Sequence, residues 1–309
     1  MQLALAVDVG GTKMAAGLVT AEGELVTSAT SPTPRDADAE TLFSVVLALC
    51  DSVGGDGDVV ACGVGCGGPM TRGGEEVSPL NIPGWRRFPL RSRLADATGL
   101  PTFVDNDAKA LALGEGWRGA AAGVDNFIAM VVSTGVGGGI VVDGRLLDGA
   151  SGNAGHIGHV VVEPAGGPLC TCGARGCLEA VARGPALVAW AQREGWRQGQ
   201  PDATAKDLAD DGAQGHPVGV AAMRRAGRAL GIAIASATYL CDLEVVSIGG
   251  GLSQAGHILF DPLEETLHAH AKLPFVRQLT VVPAALGQNA GLVGAAALIF
   301  AADRYWTGD

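Results

Sequence analysis

The chain has 309 residues, 48% of them hydrophobic but only 5% aromatic, with 48 glycines and a formal net charge of −11. That length holds two domains around a shared cleft, and the composition requires an aliphatic core with many tight turns. The acidic balance excludes a nucleic-acid surface, which needs a lysine and arginine excess to neutralise phosphates.

Residues 3–9 read as a buried strand, interrupted at Gly10-Gly11 and resumed over 14–20, with a turn at Ala21-Glu22-Gly23. No basic start or cleavage site flanks the first apolar run, so it is not a secretory leader and the expected location is cytoplasmic. The turn DVGGTK carries Asp8, Gly10, Gly11, Thr12 and Lys13. It lacks the spacing of a Walker A loop, yet a strand–glycine–strand hairpin can present backbone N–H groups to a phosphate. On its own it reads equally as a plain hairpin. Residues 32–38 form a polar linker, 41–53 have helical periodicity, and 59–65 form a strand entering the turn Cys66-Gly67-Gly68-Pro69. The loop SPLNIPGW contains Asn81, and Arg86, Arg87, Arg91 and Arg93 follow as a basic cluster best read as a solvated helix face. A strand at 101–104 leads into Asp105-Asn106-Asp107 and a helix from 108 to about 119. Asp107 stands at or near that helix start, where the dipole favours a carboxylate; taken alone it is simplest as an N-cap.

Residues 127–132, the turn Ser133-Thr134-Gly135-Val136-Gly137-Gly138-Gly139, and residues 140–142 repeat the opening strand–glycine–strand scheme. Helices are expected over 184–194, 218–240 and 289–302, and strands over 243–248 and 279–282. The apolar stretch 290–302 is too short to span a bilayer and reads as a buried helix. Residues 196–217 are polar and irregular, with Thr204 and Asp207 spaced as a capping box. The strand at 243–248 ends in Gly249-Gly250-Gly251.

One stretch concentrates the chemistry. Residues 155–179 hold His156, His159, Cys170, Cys172, Cys177 and Glu179. Three cysteines spaced C-x-C-x4-C, with a histidine eleven positions before the first, have the composition of a closed Cys3His zinc site. The other cysteines, Cys50, Cys62, Cys66 and Cys241, lie in apolar segments as buried thiols.

The run from Gly158 to Glu179 resembles the signature of the ROK family of sugar kinases and sugar-responsive repressors. VDNDAKALALGE likewise resembles that family's DNDANAAALGE, and DVGGTK and STGVGGG resemble its two phosphate motifs. The resemblance spans nearly the whole chain. It implies an α/β, actin-like ATPase fold, of which the repeated hairpins would be the trace, with a small domain (1–106 plus 290–309) and a large one (107–289) gripping ATP and sugar in their cleft. It makes Asp107 the catalytic base. Gly68, Asn81, Asn106, Gly135, His156, His159 and Glu179 become sugar contacts, with His159 also a zinc ligand beside Cys170, Cys172 and Cys177. Asp8, Gly10 to Lys13, Ser133 to Gly135, Gly137 and Gly249 to Gly251 would hold ATP and its Mg2+. A homodimer or homotetramer is expected.

One position departs from the pattern. The family usually reads G-E-x-G-H, whereas this chain reads Gly155-His156-Ile157-Gly158-His159. GHIGH resembles the N-acetylmannosamine kinases of the family, while SPLNIPGW resembles the glucose-kinase branch; glucose is ranked first. A DNA-binding repressor of the same family would need a helix-turn-helix before the phosphate motif at Asp8, and the charge opposes it. A sugar sensor without turnover would not require Asp107 and both phosphate loops.

Overall fold

The computed structural model describes residues 1–54 and 58–305. Its elements, in order, are β1 (Gln2–Val9), β2 (Lys13–Thr20), β3 (Leu25–Pro32), α1 (Ala39–Ser52), β4 (Asp58–Cys66), α2 (Leu90–Thr98), β5 (Thr102–Asn106) and α3 (Asp107–Arg118). There follow β6 (Phe127–Val132), β7 (Val136–Val142), β8 (Arg145–Leu146), α4 (Leu178–Ala182), α5 (Gly184–Arg193), α6 (Ala205–Ala213) and α7 (Pro217–Cys241). The chain closes with β9 (Val245–Gly249), α8 (His257–His270), β10 (Thr280–Pro283), α9 (Ala290–Phe300) and α10 (Ala302–Tyr305).

Two five-stranded sheets form, in the orders β3-β2-β1-β4-β5 and β10-β9-β6-β7-β8. Counted from the first strand of each, these are one order, 3-2-1-4-5, read from opposite edges. The duplication of strand–glycine–strand seen in the sequence is therefore a duplication of topology. In each sheet the hairpin strands pair antiparallel and the later strands add in parallel.

The chain divides into two compact units, 1–125 with 139–155 and 285–309, and 126–138 with 156–284. The boundaries drawn from sequence, 1–106 plus 290–309 and 107–289, assign α3 to the second domain. In the structure α3 belongs to the first unit because α9 packs on it: a Cβ on Gly114 would lie 3.0 Å from the Gly294 Cα. Residues 306–309 of that expectation lie outside the described residues.

In the first unit β1 is buried on both faces, which is why it reads as a continuous apolar run. Leu3, Leu5, Val7 and Val9 join the larger core with α1, α2 and Trp85. Ala4 and Ala6 point the other way, onto Leu292, Ala295 and Ala296 of α9; small side chains on that face let the helix lie close. β3, absent from the sequence expectations, is an edge strand rich in Ser and Thr with no fully buried residue. In the second unit the polar stretch before α7 contains α6, opened by the expected Thr204–Asp207 capping box and buried through Leu208 and Ala209. No helix among the described residues is long and apolar enough to cross a membrane.

Candidate active site and metal centre

The first unit assembles its polar residues at the carboxyl ends of parallel strands, where open α/β sheets leave a crevice. Register does this. Asp8 of β1 faces Gly65 of β4, which faces Asp105 of β5; one residue on, Val9, Cys66 and Asn106 form the next row. Asp107 follows immediately as the first residue of α3. The cap of that helix is Asn106, whose side chain accepts the Ala108 N–H at 3.1 Å, so Asp107 is not needed as the cap. The Asp107 carboxylate accepts the same N–H at 2.8 Å and sits at the positive end of the helix.

Asp8 feels this neighbourhood. Burial and the Asp107 charge push its carboxyl up to about 7, against the opposing pull of Lys13. The Cys66 thiol is raised well above its usual range by burial and by the charges of Asp107 and Asp8. Three groups from β1, β4 and α3 thus share one electrostatic environment.

The hairpin Gly10 to Lys13 is closed by a Gly10 N–H bond to the Lys13 carbonyl at 3.0 Å, and Gly11, Thr12 and Lys13 are exposed. Thr33 braces it, donating its hydroxyl to the Gly10 carbonyl at 2.6 Å. A Cβ on Gly11 would lie 2.5 Å from the Asn81 Cβ, so the Asn81 loop rests against the hairpin. That loop is anchored by Trp85, fully buried, stacked on Phe88 at 4.5 Å and donating its indole N–H to the Ala39 carbonyl. Gly68 precedes Pro69 in a cis peptide at the end of β4. The arginine cluster is accounted for internally: Arg87 pairs with Glu76, Arg91 with Glu75 and Arg93 with Glu40, while Arg86 donates to backbone carbonyls.

Behind Asp107 lies a feature the sequence reading passed over. Lys109 has a side chain only 1% exposed, and its ammonium is 2.9 Å from Asp105 Oδ1 and also bonds Asp148 Oδ1. Burial pushes the Asp105 carboxyl up, with Lys109 opposing. The signal was present in VDNDAKALALGE, where Lys109 replaces the Asn of the resembling pattern and stands four residues after Asp105.

The second unit joins its two glycine turns. Gly250, at the end of β9, has φ +90°, and a Cβ there would come within 2.8 Å of the Val132 backbone, so the position needs glycine. A Cβ on Gly251 would stand 3.8 Å from Ser133 Oγ. Ser133 to Gly135 form a tight turn with Thr134 exposed, and Gly137 continues it on β7. Glu179, in the first turn of α4, reaches this turn: Oε2 accepts the Val136 N–H at 3.0 Å and lies 2.9 Å from where a Gly135 Cβ would be. Its other oxygen accepts from Thr171 at 3.5 Å.

Thr171 belongs to the cysteine loop. The ligand atoms of His159, Cys170, Cys172 and Cys177 all lie within 4.8 Å of one another. The Cys170 Sγ–His159 Nδ1 and Cys172 Sγ–Cys177 Sγ separations are 3.7 and 3.8 Å. Metal–ligand bonds of about 2.3 Å to sulfur and 2.0 Å to nitrogen give tetrahedral edges of about 3.5–3.8 Å, which these two separations match. Without a cation, burial pushes the Cys177 thiol up to about 12; a positive ion would let all three sulfurs be thiolates. The His156 ring lies 6.0 Å from that of His159, nearly parallel to it and half-buried.

The chain resembles known proteins over nearly its whole length. The family model for the ROK family matches residues 4–302. A glucokinase of Thermotoga maritima is 38% identical over 308 residues, covering 96% of each chain. An N-acetylmannosamine kinase of Yersinia pseudotuberculosis is 37% identical over 300 residues, covering 94% of this chain and 96% of its own. The crystal structure of a ROK family glucokinase from Streptomyces griseus, in complex with glucose and AMPPNP, superposes with a TM-score of 0.85 at 35% identity over 96% of this chain and 98% of its own. The family match over residues 4–302, together with these relatives and this superposition, shows that the chain belongs to the ROK family.

Proposed function

We propose that the chain is an ATP-dependent hexose kinase that transfers the γ-phosphoryl group to the 6-hydroxyl of glucose. The observation that carries this reading is the placement of Asp107. It stands at a helix start, one residue beyond the row formed by the ends of β1, β4 and β5, and shares its electrostatic environment with Asp8 beside the Gly10–Lys13 hairpin. Relatives named glucokinase support the sugar class.

Phosphoryl transfer asks the protein mainly for positioning and charge stabilisation. As the primary hydroxyl oxygen of the sugar bonds to the γ-phosphorus, Asp107 accepts its proton. The bond from that phosphorus to the bridging oxygen breaks, and the electron pair leaves with ADP. Gly10 to Lys13 and Ser133 to Gly137 offer backbone N–H groups and, at Lys13, a cation to the phosphates. Gly249 to Gly251 serve the adenosine. Gly68, Asn81, Asn106, His159 and Glu179 hold the sugar ring, with Gly135 behind Glu179. Mg2+ would supply charge neutralisation to the phosphates. Asp8 fits as its carboxylate, because the adjacent Asp107 charge leaves this corner short of a cation. Zinc, held by His159, Cys170, Cys172 and Cys177, would supply no chemistry to the transfer; it fixes the loop that carries Thr171 toward Glu179.

A second reading, N-acetylmannosamine as substrate, is favoured by His156. An imidazole N–H can serve an N-acetyl carbonyl, which a carboxylate cannot. An ATP-consumption assay across a sugar panel, with the phosphorylated position assigned by NMR, tests both. Glucose 6-phosphate as the best product supports the first reading. Turnover confined to N-acetylmannosamine supports the second, and no sugar-dependent turnover overturns both.

A further inference from the structure

The Lys109 ammonium has three N–H donors, and the structure offers three acceptors: Asp105 Oδ1 at 2.9 Å, Asp148 Oδ1, and the Gly152 carbonyl at 3.3 Å. With its donors matched, this buried cation has nothing left to offer a ligand. Its work must lie in what it joins.

On one side is the β5–α3 junction. Asp105 Oδ1 also accepts the Asn106 N–H at 2.7 Å, and Asp105 Oδ2 is buried with no hydrogen-bond partner. Such a carboxylate depends on its counter-ion, because a desolvated charge left unpaired is strongly unfavourable. Asn106 and Asp107 follow directly in the chain.

On the other side is the loop 148–154, closed by the Ala154 N–H bonding the Asp148 carbonyl at 3.1 Å. Its far edge is stapled to the turn that follows Gly68. The Asn153 amide donates to the Met70 carbonyl at 3.0 Å, and the Met70 N–H returns a bond to Asn153 Oδ1 at 3.2 Å. Arg72, largely exposed, adds an outer contact to Asp148 at 3.6 Å.

We propose that Lys109 is a positioning residue: its ammonium locks the Asn106–Asp107 helix start to the 148–154 loop and, through Asn153, to the Gly68–Met70 turn. The base and two of the sugar-contacting segments are thereby held as one piece, while the Gly10–Lys13 hairpin has a brace of its own in Thr33. The catalytic consequence rests on the hexose-kinase reading above; the mechanical one does not.

The test uses Lys109→Met, Asp148→Asn and the double variant. Hydrogen exchange of the ligand-free protein is expected to show protection lost across residues 68–72, 105–108 and 148–154, with β1, β2 and α1 as in the wild type. In turnover, kcat falls and the sugar KM rises by about 10-fold or more, the scale of a small misplacement, while the ATP KM stays within about 2-fold. Asp148→Asn gives the same pattern more weakly and adds nothing to Lys109→Met. Unchanged exchange in the 148–154 loop overturns the proposal, as does an ATP KM that rises in step with the sugar KM, or additive effects in the double variant. If Lys109→Met does not fold, Asp148→Asn, whose side chain is partly exposed, is read by the same exchange and KM criteria. A wild-type protein that phosphorylates no sugar would overturn the kinase reading and leave the exchange comparison to decide this one.

Discussion

Glu179 accepts the backbone N–H of Val136 at 3.0 Å, so a residue of the cysteine loop's helix closes the Ser133–Gly137 turn. The same carboxylate takes the Thr171 hydroxyl on its other oxygen. A side chain that the family resemblance expects at the sugar is thus also the brace between the Ser133–Gly137 turn and the cysteine loop. Glu179→Ala should lower kcat/KM for both ATP and sugar by about 10²-fold, since an unpaired buried N–H and a loosened turn act together. Glu179→Gln, whose carbonyl can still accept from Val136, should retain the ATP KM and lose mainly on the sugar side. Steady-state kinetics in both substrates separates the two.

Asp107→Asn removes the proton acceptor while preserving the shape of the helix start. The expected loss in kcat is about 10²–10⁴-fold, the usual range for a general base. Sugar binding, measured calorimetrically, should change little. Near-normal turnover in that variant would exclude the role.

One zinc per chain is expected by elemental analysis of protein purified without chelator. Cys172 is the exposed cysteine of the cluster, so Cys172→Ser should weaken metal binding with little damage to the core. Its predicted signature is a raised sugar KM, transmitted through Thr171 and Glu179, with kcat less affected. Stripping the zinc from wild-type protein should give the same kinetics; if it leaves them unchanged, the loop does not depend on the metal.

The raised Asp8 carboxyl has a stability consequence. At pH below 3.8 the folded and unfolded chains both hold the proton, and between there and about 7 only the unfolded chain has released it. Stability from this group therefore falls as pH rises through that window. Asp8→Asn should be more stable than the wild type at pH 7 by on the order of a few kcal/mol, and the gap should close toward pH 4. Paired thermal melts across that range measure it. A gap independent of pH would mean that Asp8 does not titrate in this window.

At His156, substitution by Glu should shift kcat/KM toward glucose and away from N-acetylmannosamine. A site built for particular hydrogen-bond partners rejects the sugar that leaves them unmatched. Both sugars should be measured in both proteins at a pH above imidazole titration. An unchanged ratio would place discrimination elsewhere, the Asn81 loop being the next candidate.

Much of this protein is local and therefore legible in its residues. Glycine turns interrupt apolar runs because only such turns let strand backbones reverse or approach closely; the structure turns at Gly10-Gly11, at Ser133–Gly135 and after Gly249, while Val136–Gly139, expected in the second turn, already belong to β7. Zinc-ligand spacing is a chain-length property, so the Cys3His set was readable before any coordinate. The duplication was visible as two similar hairpins.

What only the tertiary structure decided is what depends on partners distant in the chain. Parallel register sets Asp8, Gly65 and Asp105 in one row across strands separated by whole helices. Asn106 and not Asp107 is the cap because β5 keeps the Asn106 backbone extended, with ψ 138°, while Asp107 already belongs to α3 and shares the Ala108 N–H with it. The helix α3 joins the first unit because Gly114 and Gly294 allow α9 to approach it, a contact between positions 180 residues apart. Lys109 shows the limit most plainly. In sequence it is one more charge on a helix, and its burial is set by Asp148 and Gly152, some forty residues away. No local pattern predicts that a cation will find two carboxylates and a carbonyl in the interior, because the desolvation penalty and the compensating bonds are both created by packing.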